Sequence, residues 1–326
     1  MSRDKKINIG LTMGDPAGIG AEVLIKAVAE LKPRLGAEYT IIGDRFILEG
    51  FCRELKIKGF FDKNCVKLID LKNVPRRNLK FGKTSAVSAK ASIEYLDTAI
   101  GLLREGRILA LVTAPLNKAA INNSGIKFLG HTEYLASSFG VKNFVMMLIN
   151  KNLRVVPLTR HIALRQVRQR INSHLISEAV KLVVDYLKRY FALPMPEIAI
   201  CSLNPHSGEE GFLGEEEKEV ILPAIQVLKR NISAKIYGPF SSDGLFARPD
   251  RAKFDCIIGM YHDQVLIPIK MFNPQRVVNL TLGLPFIRTS PGHGSALDIA
   301  GKGIADHSSM TEAIKLACQL SRNVIP

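Results

Sequence analysis

Three histidines stand in short, polar, turn-forming segments: Thr159-Arg160-His161, Asn204-Pro205-His206-Ser207-Gly208 and Tyr261-His262-Asp263-Gln264. The second and third follow apolar runs, 198–203 and 256–260, that read as buried strands. Loops at strand ends are where α/β proteins place their chemistry. Neutral imidazole is the commonest side-chain ligand for borderline divalent metals. The three segments suggest one divalent metal held by His161, His206 and His262. They equally describe three separate surface histidines. Spacings of 45 and 56 residues do not choose between the two, being far from the short spacing of a zinc finger. An all-nitrogen set favours zinc, cobalt or nickel over magnesium. Asp263 and Asp243 (in Ser241-Ser242-Asp243-Gly244) are candidates for a proton relay or for orienting the imidazoles, and each is also an ordinary turn-forming aspartate.

Other segments offer anion sites. Gly14-Asp15-Pro16-Ala17-Gly18-Ile19-Gly20 lies between a strand and a helix, where exposed N–H groups can hold an anion or simply make a turn. Its glycine spacing is not that of a Rossmann fingerprint. Gly82-Lys83-Thr84 is not a P-loop, because Arg77 stands where the first glycine is needed. Lys118, closing Thr113-Ala114-Pro115-Leu116-Asn117-Lys118, can meet a phosphate or carboxylate, or be an exposed helix lysine. Gly130-His131-Thr132-Glu133 opens a helix-like segment, where His131 and Thr132 can bind an anion or Thr132 can cap the helix. Lys270 and Arg288 follow strand-like runs, with Asn279 between them, and on their own read as surface bases. His174 and His307 read as surface and structural residues.

The elements that must position these residues alternate along the chain. Strand-like runs are 7–13, 39–42, 108–113, 144–149, 153–158, 198–203, 255–260 and 277–281. Helix-like runs are 21–31, 85–103, 176–190, 215–229 and 310–322. Several strands are nearly continuous in Val, Ile and Leu, the pattern of sheets covered on both faces. This predicts an α/β chain with parallel or mixed sheets.

Composition sets the bounds. With 326 residues, 47% of them hydrophobic, the chain is globular and long enough for two domains. No apolar run reaches membrane-spanning length, and the start shows no signal-peptide pattern, so a cytoplasmic protein is expected. The 5 cysteines are scattered, and Cys201 and Cys256 sit in apolar strands, which argues against a disulfide framework. The net charge of +15 suits nucleic acid, membrane surfaces or phosphorylated small molecules. Its densest cluster, Arg160, Arg165, Arg168 and Arg170, lacks interleaved aromatic residues and reads as a solvated helix face or a phosphate-steering rim.

The segment Gly292-His293-Gly294-Ser295-Ala296-Leu297-Asp298-Ile299-Ala300-Gly301-Lys302-Gly303 resembles the loop that binds the adenine end of NAD or NADP in β-decarboxylating dehydrogenases. Those enzymes have a non-Rossmann fold. The likeness marks His293, Gly294, Ser295 and Asp298 as cofactor contacts. Thr-Met-Gly-Asp-Pro-Ala-Gly-Ile-Gly, Gly-His-Thr-Glu, Asn-Pro-His-Ser-Gly-Glu, Gly-Pro-Phe-Ser-Ser-Asp-Gly and Tyr-His-Asp-Gln join it in one order. Over about 8–313 the chain resembles the 4-hydroxythreonine-4-phosphate dehydrogenase (PdxA) family. One departure is Ala21, where many members carry proline.

That resemblance implies two α/β/α domains with a cleft between them, like isocitrate and isopropylmalate dehydrogenases. Residues 1–125 with 283–326 would form the nucleotide-side domain, and 126–282 the middle domain carrying metal ligands and dimer contact. It implies a homodimer whose site is shared between subunits. One divalent metal (zinc, cobalt or magnesium) would be held by His161, His206 and His262, one of them from the neighbouring chain. It places His131, Thr132, Lys270, Asn279 and Arg288 on the substrate, with Asp243, Asp263 and His131 as candidate catalytic groups. The implied reaction is NAD- or NADP-dependent oxidation and decarboxylation of 4-phosphooxy-L-threonine to 3-amino-2-oxopropyl phosphate, in pyridoxal 5'-phosphate synthesis. Alternatives are a D-threonate or D-erythronate 4-phosphate dehydrogenase of the same family, and a phosphate-binding acyltransferase. Neither a nucleic acid nor a membrane partner is expected.

Overall fold

A computed structural model describes residues 7–31, 36–62 and 65–324. Residues 1–6, which bear on the expected absence of a signal segment, lie outside the described residues. The chain divides into two compact units, Met1–Lys142 with Leu284–Pro326, and Asn143–Gly283.

The first unit opens with β1 (Ile7–Thr12), α1 (Gly20–Leu31), β2 (Ala37–Gly43), α2 (Arg45–Glu54), β3 (Val66–Asp70), α3 (Ala86–Arg104), β4 (Ala110–Thr113), α4 (Lys118–Asn123) and α5 (His131–Ser138). The second holds β5 (Val145–Asn150), β6 (Leu153–Pro157), α6 (Leu164–Arg170), α7 (Ser173–Phe191), β7 (Glu197–Cys201), α8 (Leu222–Asn231), β8 (Lys235–Phe240), α9 (Ser242–Ala247), β9 (Cys256–Gly259), α10 (His262–Met271) and β10 (Val278–Leu282). The chain then returns to the first unit with β11 (Ile287–Pro291) and α11 (Ser308–Arg322).

In the first unit the strands run β3-β2-β1-β4-β11, and every pair is parallel. Ile9, Leu11, Ile41, Leu111 and Val112 are wholly buried, as strands covered on both faces require. In the second unit the order is β10-β5-β6-β9-β7-β8. There β5 pairs antiparallel with β10 and β6, while β6, β9, β7 and β8 are parallel. Val155, Ala199, Cys201, Ile257, Val265 and Ile269 form its core.

Several elements differ from expectation for local reasons. β3, β8 and β11 carry charged residues, glycine or proline in place of a continuous apolar run. The run 215–229 is helical as expected, but it opens with a π-helical turn, Glu217–Ile221, that continues without a break into α8, whose first turn holds Pro223 and so lacks an amide there. Lys270 lies in the last turn of α10, not after a strand, and Arg288 lies within β11. The first unit continues to Lys142, past the expected boundary at 125. The reason is packing: Phe128, with Ile126 and Tyr134 beside it, shares a buried cluster with Ala89, Ile93 and Leu96 of α3 and Ile121 of α4. The described cysteines are free thiols, and burial pushes the Cys201 thiol up to about 12. Among the described residues no helix is long and apolar enough to cross a membrane.

Candidate functional site

The first unit gathers a cluster at the end of β4. Arg288 is 2% exposed. Its Nη2 donates to Thr113 Oγ1 at 2.6 Å and its Nη1 to Thr132 Oγ1 at 3.4 Å. Thr132 is therefore not the helix cap; Gly130 holds that position, and α5 begins at His131. A Cβ on Gly130 would lie 2.7 Å from Glu133 Oε2 and 3.0 Å from Lys118 Nζ, so a larger residue there would make these two side-chain ends shift. Burial, then the charges of Arg288 and Lys118, hold the His131 imidazole well below its ordinary 6.5. It is neutral at neutral pH and packs edge-on to Phe128, with 6.1 Å between ring centres. Burial also pushes the Arg288 guanidinium down to about 10, with the Glu133 carboxylate opposing, so it stays charged. A charged guanidinium, an ammonium, two hydroxyls and a helix start converge here, a donor set suited to phosphate or carboxylate.

The glycine loop after β1 is a structural turn. The Asp15 amide donates to Pro115 O, the Gly18 amide to Asp15 O, the Ile19 amide to Ser295 O and the Ala17 amide to Asp15 Oδ1. Those amides are spent within the protein. The anion reading of this loop loses its donors.

The loop instead braces the segment carrying His293. Ser295 O accepts from Ile19, and a Cβ on Gly18 would meet Ser295 at 3.0 Å. Lys26 Nζ donates to Gly303 O and Ala305 O at 2.9 Å and to Glu22 Oε1 at 2.7 Å. Glu22, wholly buried, also accepts from the Ala305 amide. His293 Nδ1 lies 3.0 Å from Gly294 O, Asp298 is exposed, and a side chain at Gly294 would meet open space. Sequence reasoning missed the Glu22–Lys26 brace, although two charged residues at i, i+4 in an apolar helix were the available signal.

In the second unit, hydrogen bonds lace the three histidine motifs together. Thr159, two residues before His161, donates its amide and hydroxyl to Met260 O, two residues before His262. Gln264 accepts from the Met260 amide at 2.6 Å and donates to Ser202 O at 2.7 Å, just before the His206 turn. His161 and His262 share a cavity of about 330 Å³ that Arg160, Tyr261 and Asp263 also line. Their ring centres are 6.0 Å apart. His262 Nδ1 lies 2.6 Å from Asp263 Oδ1. A carboxylate only accepts, so Nδ1 carries a proton, and in the neutral ring the lone pair falls on Nε2.

His206 is placed differently. It is exposed, and residues 206–210 all have positive φ, a left-handed run in which only Gly208 is free of Cβ strain. Each of the others costs about 1–2 kcal/mol, which the surrounding bonds must offset. Asp243 is exposed; the hydroxyl of Ser241, then the Gly244 amide, and to a lesser extent the charge of His206 hold its carboxyl below the usual range. Among the described residues of one chain, no three His, Cys, Asp or Glu side chains form a metal-binding group. His161 and His262 are brought together; His206 does not complete a set with them.

Buried polar atoms without a hydrogen-bond partner test the ligand readings. They include His131 Nε2, Asn279 Oδ1 and His293 Nε2, each on a residue singled out for substrate or cofactor. An unsatisfied buried group costs about 1–3 kcal/mol, so each atom fits a bound polar group. Lys270 is exposed.

The chain matches the family described as "Pyridoxal phosphate biosynthetic protein PdxA" over residues 36–317. It is 41% identical to a 4-hydroxythreonine-4-phosphate dehydrogenase of a Sulfurihydrogenibium species, covering 97% of this chain and 99% of that protein. It is 40% identical to the D-threonate 4-phosphate dehydrogenase of Cupriavidus necator, covering 96% and 97%. A solved 4-hydroxythreonine-4-phosphate dehydrogenase from Klebsiella pneumoniae superposes with a TM-score of 0.83 at 33% identity, covering 97% of this chain and 100% of that one. A β-decarboxylating dehydrogenase from Thermococcus kodakarensis, 16% identical with a TM-score of 0.52 over 96% of this chain and 83% of its own, shares the fold alone.

Proposed function

The chain belongs to the PdxA family of pyridoxal phosphate biosynthetic proteins, and from that membership we propose that it is a nicotinamide-dependent dehydrogenase that oxidises and decarboxylates 4-phosphooxy-L-threonine. The observation that carries the reading is the enclosed cluster of Arg288, Thr113, Thr132 and His131. It offers a fixed charge and aligned hydroxyls to one anionic end of a phosphorylated hydroxy acid.

In the reaction, hydride leaves the alcohol carbon for the nicotinamide ring and the hydroxyl proton leaves to a base. CO2 is then lost and the remaining carbanion takes up a proton. Neutral His131, with its enclosed Nε2 lacking a protein partner, is suited to receive or return such a proton. Arg288 and Lys118 fix the anion while Thr132 orients it. His293, Gly294, Ser295 and Asp298 take the nucleotide, with Lys26 and Glu22 holding that segment. Asn279 and Lys270 are assigned to the substrate.

The donor set also fits a divalent metal. His262 is held in the ligating tautomer by Asp263, and His161 faces the same cavity. We assign the third ligand to His206 of a second copy of the chain, in a homodimer, because one chain does not assemble the three. When bound, such an ion lowers the pKa of the alcohol and steadies the negative charge that decarboxylation develops. An all-histidine set favours zinc or cobalt over magnesium.

A second reading, oxidation of D-threonate 4-phosphate, is favoured by the near-equal identity to the Cupriavidus enzyme. Absorbance of the reduced nicotinamide decides between them. Purified protein is given 4-phosphooxy-L-threonine or D-threonate 4-phosphate, with NAD or NADP, before and after chelation. The proposal predicts chelator-sensitive reduction with 4-phosphooxy-L-threonine. Turnover confined to D-threonate 4-phosphate would replace it with the second reading, and no reduction with either would defeat both.

A further inference from the structure

The segment leading into the left-handed run that carries His206 is held chiefly by one carboxylate. Glu217, 6% exposed, lies in the π-helical turn before α8. Its Oε1 accepts from the amides of Leu203 at 2.7 Å and Asn204 at 2.8 Å, and its Oε2 from Asn204 Nδ2 at 2.9 Å. Those residues immediately precede Pro205-His206. The middle of the run is tied as well: the Leu213 amide donates to Gly208 O, and a Cβ on Gly208 would lie 2.7 Å from both Glu217 Oε2 and Gly214 O. Asn204 is gripped a second time by Glu216 Oε2 at 2.8 Å. π-helical turns are uncommon and concentrate where a local geometry is over-determined.

We propose that Glu217 is a positioning residue for His206: through its bonds to Leu203 and Asn204, and packed close against Gly208, it imposes the left-handed turn that presents the imidazole to the metal. The proposal rests on the reading of His206 as a metal ligand. Glu217 touches neither substrate nor metal in this account. Outer residues that orient a ligand are worth about 10–100-fold in metal affinity, and that is the effect assigned here.

The test titrates cobalt or zinc into metal-free, full-length protein, with thermal stability followed in parallel. Glu217→Ala should lower metal affinity by about 10–100-fold. Glu217→Gln should lower it less, because its amide oxygen keeps the two backbone bonds while its NH2 opposes Asn204 Nδ2. Amide exchange at Leu203 and Asn204 should quicken in the same order. Wild-type metal affinity in Glu217→Ala, with only a lower melting temperature, overturns the proposal. If that variant does not fold, wild-type affinity in Glu217→Gln overturns it instead. His206→Ala separates the two levels. Wild-type affinity in that variant removes His206 from the site and this inference with it, whereas lost affinity there beside intact affinity in the Glu217 variants sinks the positioning role alone.

Discussion

The anion cluster of the first unit and the histidine cavity of the second are built in opposite ways. Arg288 is buried, its guanidinium meets two threonine hydroxyls, and His131 is enclosed beside it. One chain completes that arrangement. His161 and His206 are exposed, and one chain brings together only two of the three imidazoles. The first region has paid its desolvation before any ligand arrives, so the proposed binding there is preorganised. The second keeps its imidazoles open to solvent, where lone pairs are available, and relies on hydrogen bonds behind the histidines to aim them. The charge proposed to hold an anion and the bases proposed to hold a cation thus receive different surroundings.

Breaking the second region should have the larger effect on turnover. His262→Ala should abolish metal uptake and lower kcat by about 10²–10³-fold with the fold intact, read by metal analysis, kinetics and circular dichroism. Unchanged metal content would remove His262 from the set. Breaking the first region should act on binding. Arg288→Met removes charge-assisted bonds worth about 1.5–3 kcal/mol and should raise KM for the phosphorylated substrate about 10–100-fold, with the cofactor KM little changed. An equal rise in both would mean that Arg288 supports the fold and not the anion.

The enclosure of His131 has a pH signature with a definite sign. Its folded value lies below the ordinary 6.5 of the unfolded chain, so between those two values the unfolded state binds the extra proton. Stability is fully present above 6.5 and declines as pH falls from there towards the folded value. His131→Asn should lose that part of the decline in melting temperature below pH 6.5, and an identical pH profile would place His131 in a solvated setting. The smallest effect belongs to the brace behind the cofactor segment. Lys26→Met should raise the cofactor KM by roughly tenfold or less, while leaving metal affinity untouched.

Much of this was legible in the residues. Ile257 and Ile258 lie in a short apolar run and Ile9 and Leu11 in an alternation of apolar residues with Asn8, Gly10 and Thr12, and both segments became central strands. β8 and β11 did not announce themselves, because Lys235-Ile236-Tyr237-Gly238-Pro239-Phe240 and Ile287-Arg288-Thr289-Ser290-Pro291 owe their strand form to parallel neighbours, a tertiary effect that local propensity does not carry. The motif histidines, His131 and Thr132 stood out as candidates, whereas Arg288 read as a surface base until the family resemblance marked it. What spacing could not supply was the partner of each. Thr113, Gln264, Glu22 and Glu217 lie 175, 62, 283 and 13–14 residues from the groups they hold, and such pairings exist only once the chain is folded. The glycine loop was left open between an anion site and a plain turn, and the structure takes the turn, since amides that looked available are used internally.

The contrast between a site complete in one chain and a site completed by two is tested most directly by mixing. His206→Ala and His262→Ala proteins, each inactive alone, are unfolded together, refolded and assayed. If His206 of one subunit joins His161 and His262 of the other, each mixed dimer regains one intact site, and turnover returns to about a quarter of the wild-type value. A mixture as inactive as its components would mean that every site draws all its histidines from a single chain, contrary to this account.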